Sequence, residues 1–231
     1  DAFMTEESID LIRMQEDKIN IPMIFGCNSL DGSTMSVYYR KNLSIYRDDP
    51  VKMIPQTVNI HPMSEEAQEL GKRISYLYFG KDGPTLENFD KFIDLNTDFY
   101  FTVTQMICRS LNIKYQKNLK QFFYHFDYDG ELSFLKRALK IEKYKGAAHF
   151  DELSYLFRHQ IIDVNVSENS SEYKMRETMC KLWTNFAKYN NPTPESDKSL
   201  NFKWDCDKQK ETMNYLLLKK KKKMIDNIKF K

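Results

Sequence analysis

The chain has 231 residues, and its 35 lysines and arginines nearly balance its 33 aspartates and glutamates, for a formal charge of +2. Apolar residues make up 41% of the sequence, which excludes a disordered chain, because such chains cannot bury enough surface to offset their conformational entropy. No stretch approaches the roughly 20 apolar residues that span a bilayer, so we expect no membrane span. The only basic run is Lys219–Lys223, and the balanced charge gives little support for nucleic-acid binding, so we expect no nucleic-acid partner.

The first strong structural signal is an apolar run over residues 21–27, which ends at Asn28 and Ser29. A short apolar run that stops at turn residues predicts a buried strand in a mainly parallel sheet. Apolar periodicity then predicts three helices, with Leu77 on the inner face of the first and Val103 and Ile107 on the inner face of the third. These helices are predicted over residues 64–80, 84–94 and 97–115.

An aromatic run over residues 120–128 ends at Asp129-Gly130, which favours a second strand. A long helix is predicted over residues 172–189 and a last short strand over residues 215–218. Strands that alternate with amphipathic helices predict an α/β fold, with helices on the faces of a mainly parallel central sheet. No repeat or linker divides the chain, so residues 1–231 are expected to form one unit. The segment 218–231 contains five consecutive lysines, at positions 219–223, and is expected to be a solvated basic tail.

The glycines and cysteines exclude several kinds of site. No two of the seven glycines lie four or five residues apart, so the chain has neither a Walker phosphate loop nor a Gly-x-Ser-x-Gly nucleophile elbow. The four cysteines show neither Cys-x-x-Cys spacing nor nearby histidine pairs. We therefore expect no bound metal and no cofactor.

Two loops carry the residues with catalytic potential. Asp31 directly follows the first predicted strand, and His149 lies in the loop after the aromatic strand. Active residues of open α/β sheets gather just past the carboxyl ends of strands. The order acid and then histidine matches the last two members of an α/β-hydrolase triad. From these residues alone, the alternatives remain that Asp31 is only a turn residue and that His149 is only a packed histidine. The other three histidines, His61, His125 and His159, are interpreted as structural.

A resemblance to a known family adds to this interpretation. The segment 146–157, Gly-Ala-Ala-His-Phe-Asp-Glu-Leu-Ser-Tyr-Leu-Phe, resembles the histidine signature of the type-B carboxylesterase and cholinesterase family. Residues 26–32, Gly-Cys-Asn-Ser-Leu-Asp-Gly, resemble its acid loop, Gly-x-Asn-x-x-Glu-Gly. Residues 182–194 are similar to its C-terminal helix and the Asn-Pro turn after it. Segments 92–98 and 123–130 look most like the insect branch of these esterases.

The resemblance implies the C-terminal part of an α/β-hydrolase fold and the activity of a serine esterase that works through an acyl-enzyme. It assigns Asp31 as the acid, where the family mostly uses the longer glutamate, and His149 as the base. The family's nucleophile elbow and its glycine-rich oxyanion loop lie upstream of the acid loop and have no counterpart here. We therefore expect this chain to supply the acid and the histidine without the nucleophile, and to be inactive alone.

The expected partner is a small-molecule ester, and the sequence predicts no oligomeric state. The main alternative is a non-catalytic, cholinesterase-like adhesion protein, and a pseudo-enzyme from a truncated gene is a second one. Three Asn-x-Ser sequons, at Asn42, Asn165 and Asn169, are candidate N-glycosylation sites. They matter only in a secreted protein, and we expect a secreted location over a cytoplasmic one.

Overall fold

The secondary structure comes from a computed structural model, which describes residues 6–14, 18–158, 165–207 and 212–228. The strands are β1 (Met23–Asn28), β2 (Gln121–Phe126), β3 (Met213–Leu218) and β4 (Lys223–Ile228). The α-helices are α1 (Ser8–Met14), α2 (Ser33–Tyr39), α3 (Leu43–Asp48), α4 (Glu65–Phe79), α5 (Phe89–Thr97), α6 (Val103–Tyr115), α7 (Phe134–Leu139), α8 (Leu153–Leu156) and α9 (Ser171–Tyr189). His159, which was interpreted as structural, lies outside the described residues.

The described strands form one sheet in the order β1-β2-β3-β4. β1 pairs with β2 and β2 with β3 in parallel, while β4 is antiparallel to β3. The first three strands were predicted, and the mainly parallel sheet with helices is the predicted α/β arrangement. Parallel pairing places the ends of β1 and β2 side by side, because Asn28 lies opposite Phe126. The loops that follow these two strands therefore start from the same edge of the sheet.

The basic tail differs from the expectation. Lysines 219–222 connect β3 to β4, and Lys223 is the first residue of β4. This strand was not predicted, so part of the segment is a strand and not a solvated tail. The connection itself is mostly exposed, as consecutive lysines require. Residues 229–231 of the predicted tail lie outside the described residues.

The second predicted helix starts later than expected. α5 begins at Phe89 and not at Pro84, because the preceding residues form a hydrogen-bonded turn. Asn88 Oδ1 accepts from the Thr85 N–H at 2.7 Å, and the Asn88 amide donates to the Gly83 carbonyl at 2.9 Å. The helix also runs three residues beyond the predicted end at Asp94, so that Thr97 comes to lie beside the acid loop.

The inner face of the third helix was predicted wrongly at two positions, Val103 and Ile107. Residues Asp98–Thr102 form a π-helical turn, and α6 begins only at Val103. One extra residue in a turn rotates everything after it by about 100° around the helix axis. Val103 and Ile107 are consequently 40% and 49% exposed, whereas Arg109 and Asn112 face inward.

The inner face of α4 also differs at one position. Leu77 was expected to be buried but is 77% exposed. The helix packs instead through small residues. Gly71 approaches Pro50 so closely that a β-carbon added at Gly71 would lie 2.8 Å from the Pro50 carbonyl oxygen. This close approach places Ala67 and Phe79 in the interior.

Two apolar clusters flank the ends of β1 and β2. The first packs α9 against the sheet, with Phe122, Met179 and Trp204 among its members. The second lies among the helices between β1 and β2 and includes Phe92. Leu30 from the acid loop belongs to the second cluster, and Ala147 from the histidine loop belongs to the first. The two candidate loops therefore meet where the clusters adjoin.

Candidate active site

The acid loop is held from both sides. The Asn28 N–H donates to Asp31 Oδ2 at 2.7 Å, which anchors one carboxylate oxygen at the end of β1. On the other side, the Gly32 N–H donates to Thr97 Oγ1 at 2.9 Å. A β-carbon on Gly32 would lie 2.3 Å from the Thr97 backbone nitrogen, so only glycine allows the loop to approach the end of α5 this closely.

The histidine loop is held by polar contacts and by one glycine. Gly146 has a φ of +130°, a backbone conformation that residues with a side chain rarely adopt. Its carbonyl accepts a hydrogen bond from the buried Lys136 Nζ at 3.1 Å. Lys136 also pairs with Asp129, three residues after the end of β2. The Ala148 N–H donates to Asp151 Oδ2 at 2.7 Å, which closes a tight turn around His149.

The two loops pair with each other beyond the ends of the strands. The Leu30 N–H donates to the Ala147 carbonyl at 2.8 Å, and the Ala147 N–H donates to Ser29 Oγ at 2.9 Å. Leu30 and Ala148 form an isolated parallel bridge. The pairing of β1 and β2 is thus resumed in the loops, and it brings Asp31 and His149 together.

The carboxylate and the imidazole are in direct contact. His149 Nδ1 lies 2.9 Å from Asp31 Oδ1, although 118 positions separate the two residues in the chain. A carboxylate accepts hydrogen bonds, so Nδ1 is the donor in this contact. The aspartate therefore reaches the histidine even though its side chain is one methylene shorter than glutamate. Asp31 is buried, while the His149 side chain is partly exposed.

The surroundings raise the pKa of His149. The hydrogen bond to Asp31 is the largest cause, and the negative charges of Asp31, Glu152 and Asp151 act in the same direction. Partial burial opposes them, because it disfavours the charged imidazolium. With Nδ1 bound to Asp31, Nε2 is the nitrogen that remains to take a proton from a hydroxyl group. This is the arrangement that general-base catalysis by histidine requires.

Two aromatic rings lie against the imidazole. The ring centroids of Phe101 and Phe150 are 5.1 and 4.0 Å from that of His149. Phe150 has a φ of 69°, an uncommon backbone conformation for a bulky residue, and its side chain is 55% exposed. The base is therefore bordered by an apolar surface.

Sequence reasoning did not assign a role to three residues at this site. The Asn28 amide donates to the Ala148 carbonyl at 2.7 Å and to Glu152 Oε2. Burial raises the pKa of Glu152, and it raises the pKa of Asp151 to about 6. The available signal was the spacing of Glu152, three residues after His149, which places both on one side of a helical turn.

The other described histidines occupy different surroundings. His125 lies within β2, packs on the ring of Tyr215 and has Nδ1 3.5 Å from Cys27 Sγ, and burial lowers its pKa. His61 Nδ1 accepts from the Met63 backbone N–H at 3.2 Å. Among the described hydrogen bonds, neither histidine contacts a carboxylate, whereas His149 does. In the described ranges, no three His, Cys, Asp or Glu side chains converge as metal ligands would.

Two solved structures with a similar fold are esterases. A crystal structure of juvenile hormone esterase from Manduca sexta, with OTFP covalently attached, matches with a TM-score of 0.71 and 21% identity over 90% of this chain and 38% of that one. A PNB esterase matches with a TM-score of 0.57 and 19% identity over 96% of this chain and 39% of that one. The fold is accordingly that of the α/β-hydrolase esterases, as predicted, and the sheet described above is part of it.

Two curated relatives are also named as esterases. The juvenile hormone esterase of Heliothis virescens is 23% identical over 189 residues, which cover 78% of this chain and 32% of that protein. The juvenile hormone esterase of Tribolium castaneum is 32% identical over 120 residues, or 48% of this chain and 20% of that protein. The matched region is thus a third or less of either relative. Because the model of the carboxylesterase family matches residues 1–231, the chain belongs to that family.

Proposed function

We propose that this chain supplies the acid, Asp31, and the base, His149, of a carboxylic ester hydrolase that uses a serine nucleophile. The observation that carries the proposal is the 2.9 Å contact between His149 Nδ1 and Asp31 Oδ1. The proposal treats residues 1–231 as the C-terminal portion of one esterase domain. The sequence contains no Gly-x-Ser-x-Gly elbow, so the serine and the oxyanion donors come from outside these residues.

The reaction follows from the position of Nε2. His149 takes the proton of the serine hydroxyl while the serine oxygen attacks the ester carbonyl carbon. The bond from that carbon to the alcohol oxygen breaks, and the imidazolium gives its proton to the departing alcohol. Water then attacks the acyl-enzyme with the same help and releases the acid and the serine. Throughout, Asp31 accepts from Nδ1, which fixes the tautomer and stabilises the imidazolium.

The substrate class in this proposal is a small-molecule carboxylic ester with an apolar group. The support is the pair of rings, Phe101 and Phe150, that border the base. The similar proteins from Heliothis virescens and Tribolium castaneum are named juvenile hormone esterases. In an enzyme completed with its nucleophile, a series of p-nitrophenyl esters of increasing acyl length tests the preference, and it should show kcat/KM rising with chain length. Equal values across the series would contradict an apolar contact beside the base.

We expect the chain alone to hydrolyse no ester above background. Removing a triad serine typically costs about a millionfold in turnover, and the oxyanion donors account for much of the remaining rate. The assay is hydrolysis of p-nitrophenyl acetate by the purified chain, with His149→Ala as the control for contaminating esterases. If the chain hydrolysed the ester and His149→Ala abolished that activity, the result would contradict the proposal that the chain lacks the nucleophile.

We also propose that the protein is a secreted glycoprotein. The support is the exposure of all three sequon asparagines, Asn42, Asn165 and Asn169, since a glycan needs a surface position. No helix among the described residues has the length and apolar character needed to cross a membrane. Expression through the secretory pathway of insect cells, followed by glycosidase treatment, should lower the apparent mass. An unchanged mass would contradict glycosylation.

An adhesion protein is the competing function. An adhesion protein has no need for an acid and an imidazole held in hydrogen-bond contact, and the Asp31–His149 contact therefore favours the enzyme.

A further inference from the structure

Asn28, the last residue of β1, contacts both sides of the acid–base pair. Its backbone N–H donates to Asp31 Oδ2 at 2.7 Å, and its side-chain amide donates to the Ala148 carbonyl at 2.7 Å. The same amide donates to Glu152 Oε2. Asn28 is only 1% exposed, so these bonds are made without competition from water. One residue therefore joins the acid, the backbone just before the base, and a second carboxylate.

The Asn28 amide has one orientation that satisfies its neighbours. Both groups that face Nδ2 are acceptors, so the nitrogen and not the oxygen must point at them. Oδ1 accepts no hydrogen bond within the described part of the chain. The two donated bonds are thus what orients this side chain, and they pull the histidine loop towards the end of β1.

Glu152 is the other half of the arrangement. It precedes α8 and follows His149 by three residues. Burial raises the pKa of Glu152, the Asn28 hydrogen bond lowers it, and the negative charge of Asp31 raises it. A buried carboxylate needs a donor, so Asn28 and Glu152 stabilise each other. The charged groups acting on His149 are Asp31 from the acid loop and Asp151 and Glu152 from its own loop.

We infer that Asn28 and Glu152 are positioning residues for the Asp31–His149 pair. Asn28 holds the carboxylate through its backbone and the histidine loop through its side chain, and Glu152 holds the Asn28 amide in place. Neither residue contacts the reacting atoms in this account. The inference depends on the proposed function for its catalytic meaning, but the geometry that it describes can be measured without any turnover.

The experiment is a pH titration of the ¹⁵N-histidine-labelled chain by long-range ¹H–¹⁵N correlation spectra, which report the tautomer and the pKa of each histidine. In the wild-type chain we expect neutral His149 to carry its proton on Nδ1, facing Asp31. In Asn28→Ala we expect the Nδ1 tautomer to lose its majority and the pKa of His149 to fall. The variant should still fold, because the Leu30–Ala147 and Ser29–Ala147 bonds keep the loops joined.

A matched control separates positioning from general destabilisation. Asn185 is a buried asparagine whose amide also donates to a backbone carbonyl, of Pro192, and to a carboxylate, of Asp197. Asn185→Ala should lower stability yet leave the tautomer and pKa of His149 unchanged. Glu152→Gln keeps an acceptor for the Asn28 amide, so it should retain the Nδ1 tautomer while the pKa of His149 falls with the lost charge.

If Asn28→Ala unfolds, Glu152→Ala gives a second test, because it releases the Asn28 amide without changing a residue of β1. Glu152→Ala should shift the His149 tautomer in the same direction as Asn28→Ala. A wild-type tautomer of His149 in Asn28→Ala, or in Glu152→Ala where the first variant unfolds, would overturn the inference whatever the pKa, because loss of the Glu152 charge lowers the pKa by itself. The spectra report the geometry, whereas ester turnover in an enzyme completed with its nucleophile tests the proposed function. The two can therefore fail independently.

Discussion

His149 Nδ1 and Asp31 Oδ1 lie 2.9 Å apart because β1 and β2 pair in parallel and the loops after them continue to pair through Leu30 and Ala147. The contact is the largest cause of the raised pKa of His149. Asp31→Asn keeps the shape of the side chain and an acceptor oxygen but removes the charge. We therefore expect the pKa of His149 to fall in this variant, measured by NMR titration. An unchanged value would show that the carboxylate does not govern the imidazole.

The same contact links stability to pH. The pKa of His149 is raised above its ordinary value of 6.5, so the folded state binds the proton more tightly than the unfolded state. The resulting stabilisation is fully present below pH 6.5 and is lost as the pH rises through the raised pKa. The loss should be smaller in Asp31→Asn, and unfolding by urea at a series of pH values measures it.

Glutamate, the usual family acid, should not fit at position 31. Asp31 Oδ1 contacts His149 while Oδ2 accepts from the Asn28 N–H at 2.7 Å, and the side chain is buried. An added methylene in such a site typically costs about 1–3 kcal/mol. Asp31→Glu should lower the free energy of unfolding by this amount and lower the pKa of His149. Wild-type stability with an unchanged pKa would mean that the loop has room for the longer side chain.

Gly32 should be needed for the position of the acid. A β-carbon there would lie 2.3 Å from the Thr97 nitrogen, so Gly32→Ala should displace the acid loop, cost about 1–3 kcal/mol and lower the pKa of His149. Gly80→Ala is the matched control, since Gly80 has a φ of +67° but no atom within 4 Å of a β-carbon. It should cost a similar amount, about 1–3 kcal/mol of backbone strain, and leave His149 unaffected. Equal effects of both variants on the pKa would contradict this role of Gly32.

Asp151 should reduce stability at neutral pH. Burial raises its pKa from 3.8 to about 6, so its contribution to stability is present below pH 3.8 and is lost as the pH rises through about 6. Asp151→Asn keeps an acceptor for the Ala148 N–H and removes the buried charge. At pH 7 the variant should equal or exceed the wild type in free energy of unfolding, by up to about 3 kcal/mol, and the difference should shrink at pH 4. A variant that is less stable at both pH values would contradict the direction of this shift.

The parts of the fold that depend on local pattern could be predicted from the sequence. The apolar run over residues 21–27 and the aromatic run over residues 120–128 both contain strands, and the loops after them contain the candidate acid and base. The orientation of α6 could not be predicted, because the π-helical turn before Val103 rotates the helix without a break in its apolar pattern. β4 was missed because the lysines before it resemble a solvated tail, while its pairing depends on β3.

At the candidate site, too, some features could be predicted from the sequence and others could not. Asp31 and His149 could be proposed from loop position and from motifs, but their contact and the role of Asn28 depend on pairing between distant loops. Asn28 and Glu152 are 124 positions apart, and no local pattern indicates that an amide and a carboxylate at that separation will bond.

The most direct test of the central claim is ester hydrolysis by this chain joined to an upstream segment that carries a Gly-x-Ser-x-Gly elbow and an oxyanion loop. The kcat/KM for p-nitrophenyl acetate should fall by about 10⁴-fold or more in His149→Ala, with the unfolding midpoint nearly unchanged. Full activity in His149→Ala would contradict the assignment of His149 as the catalytic base.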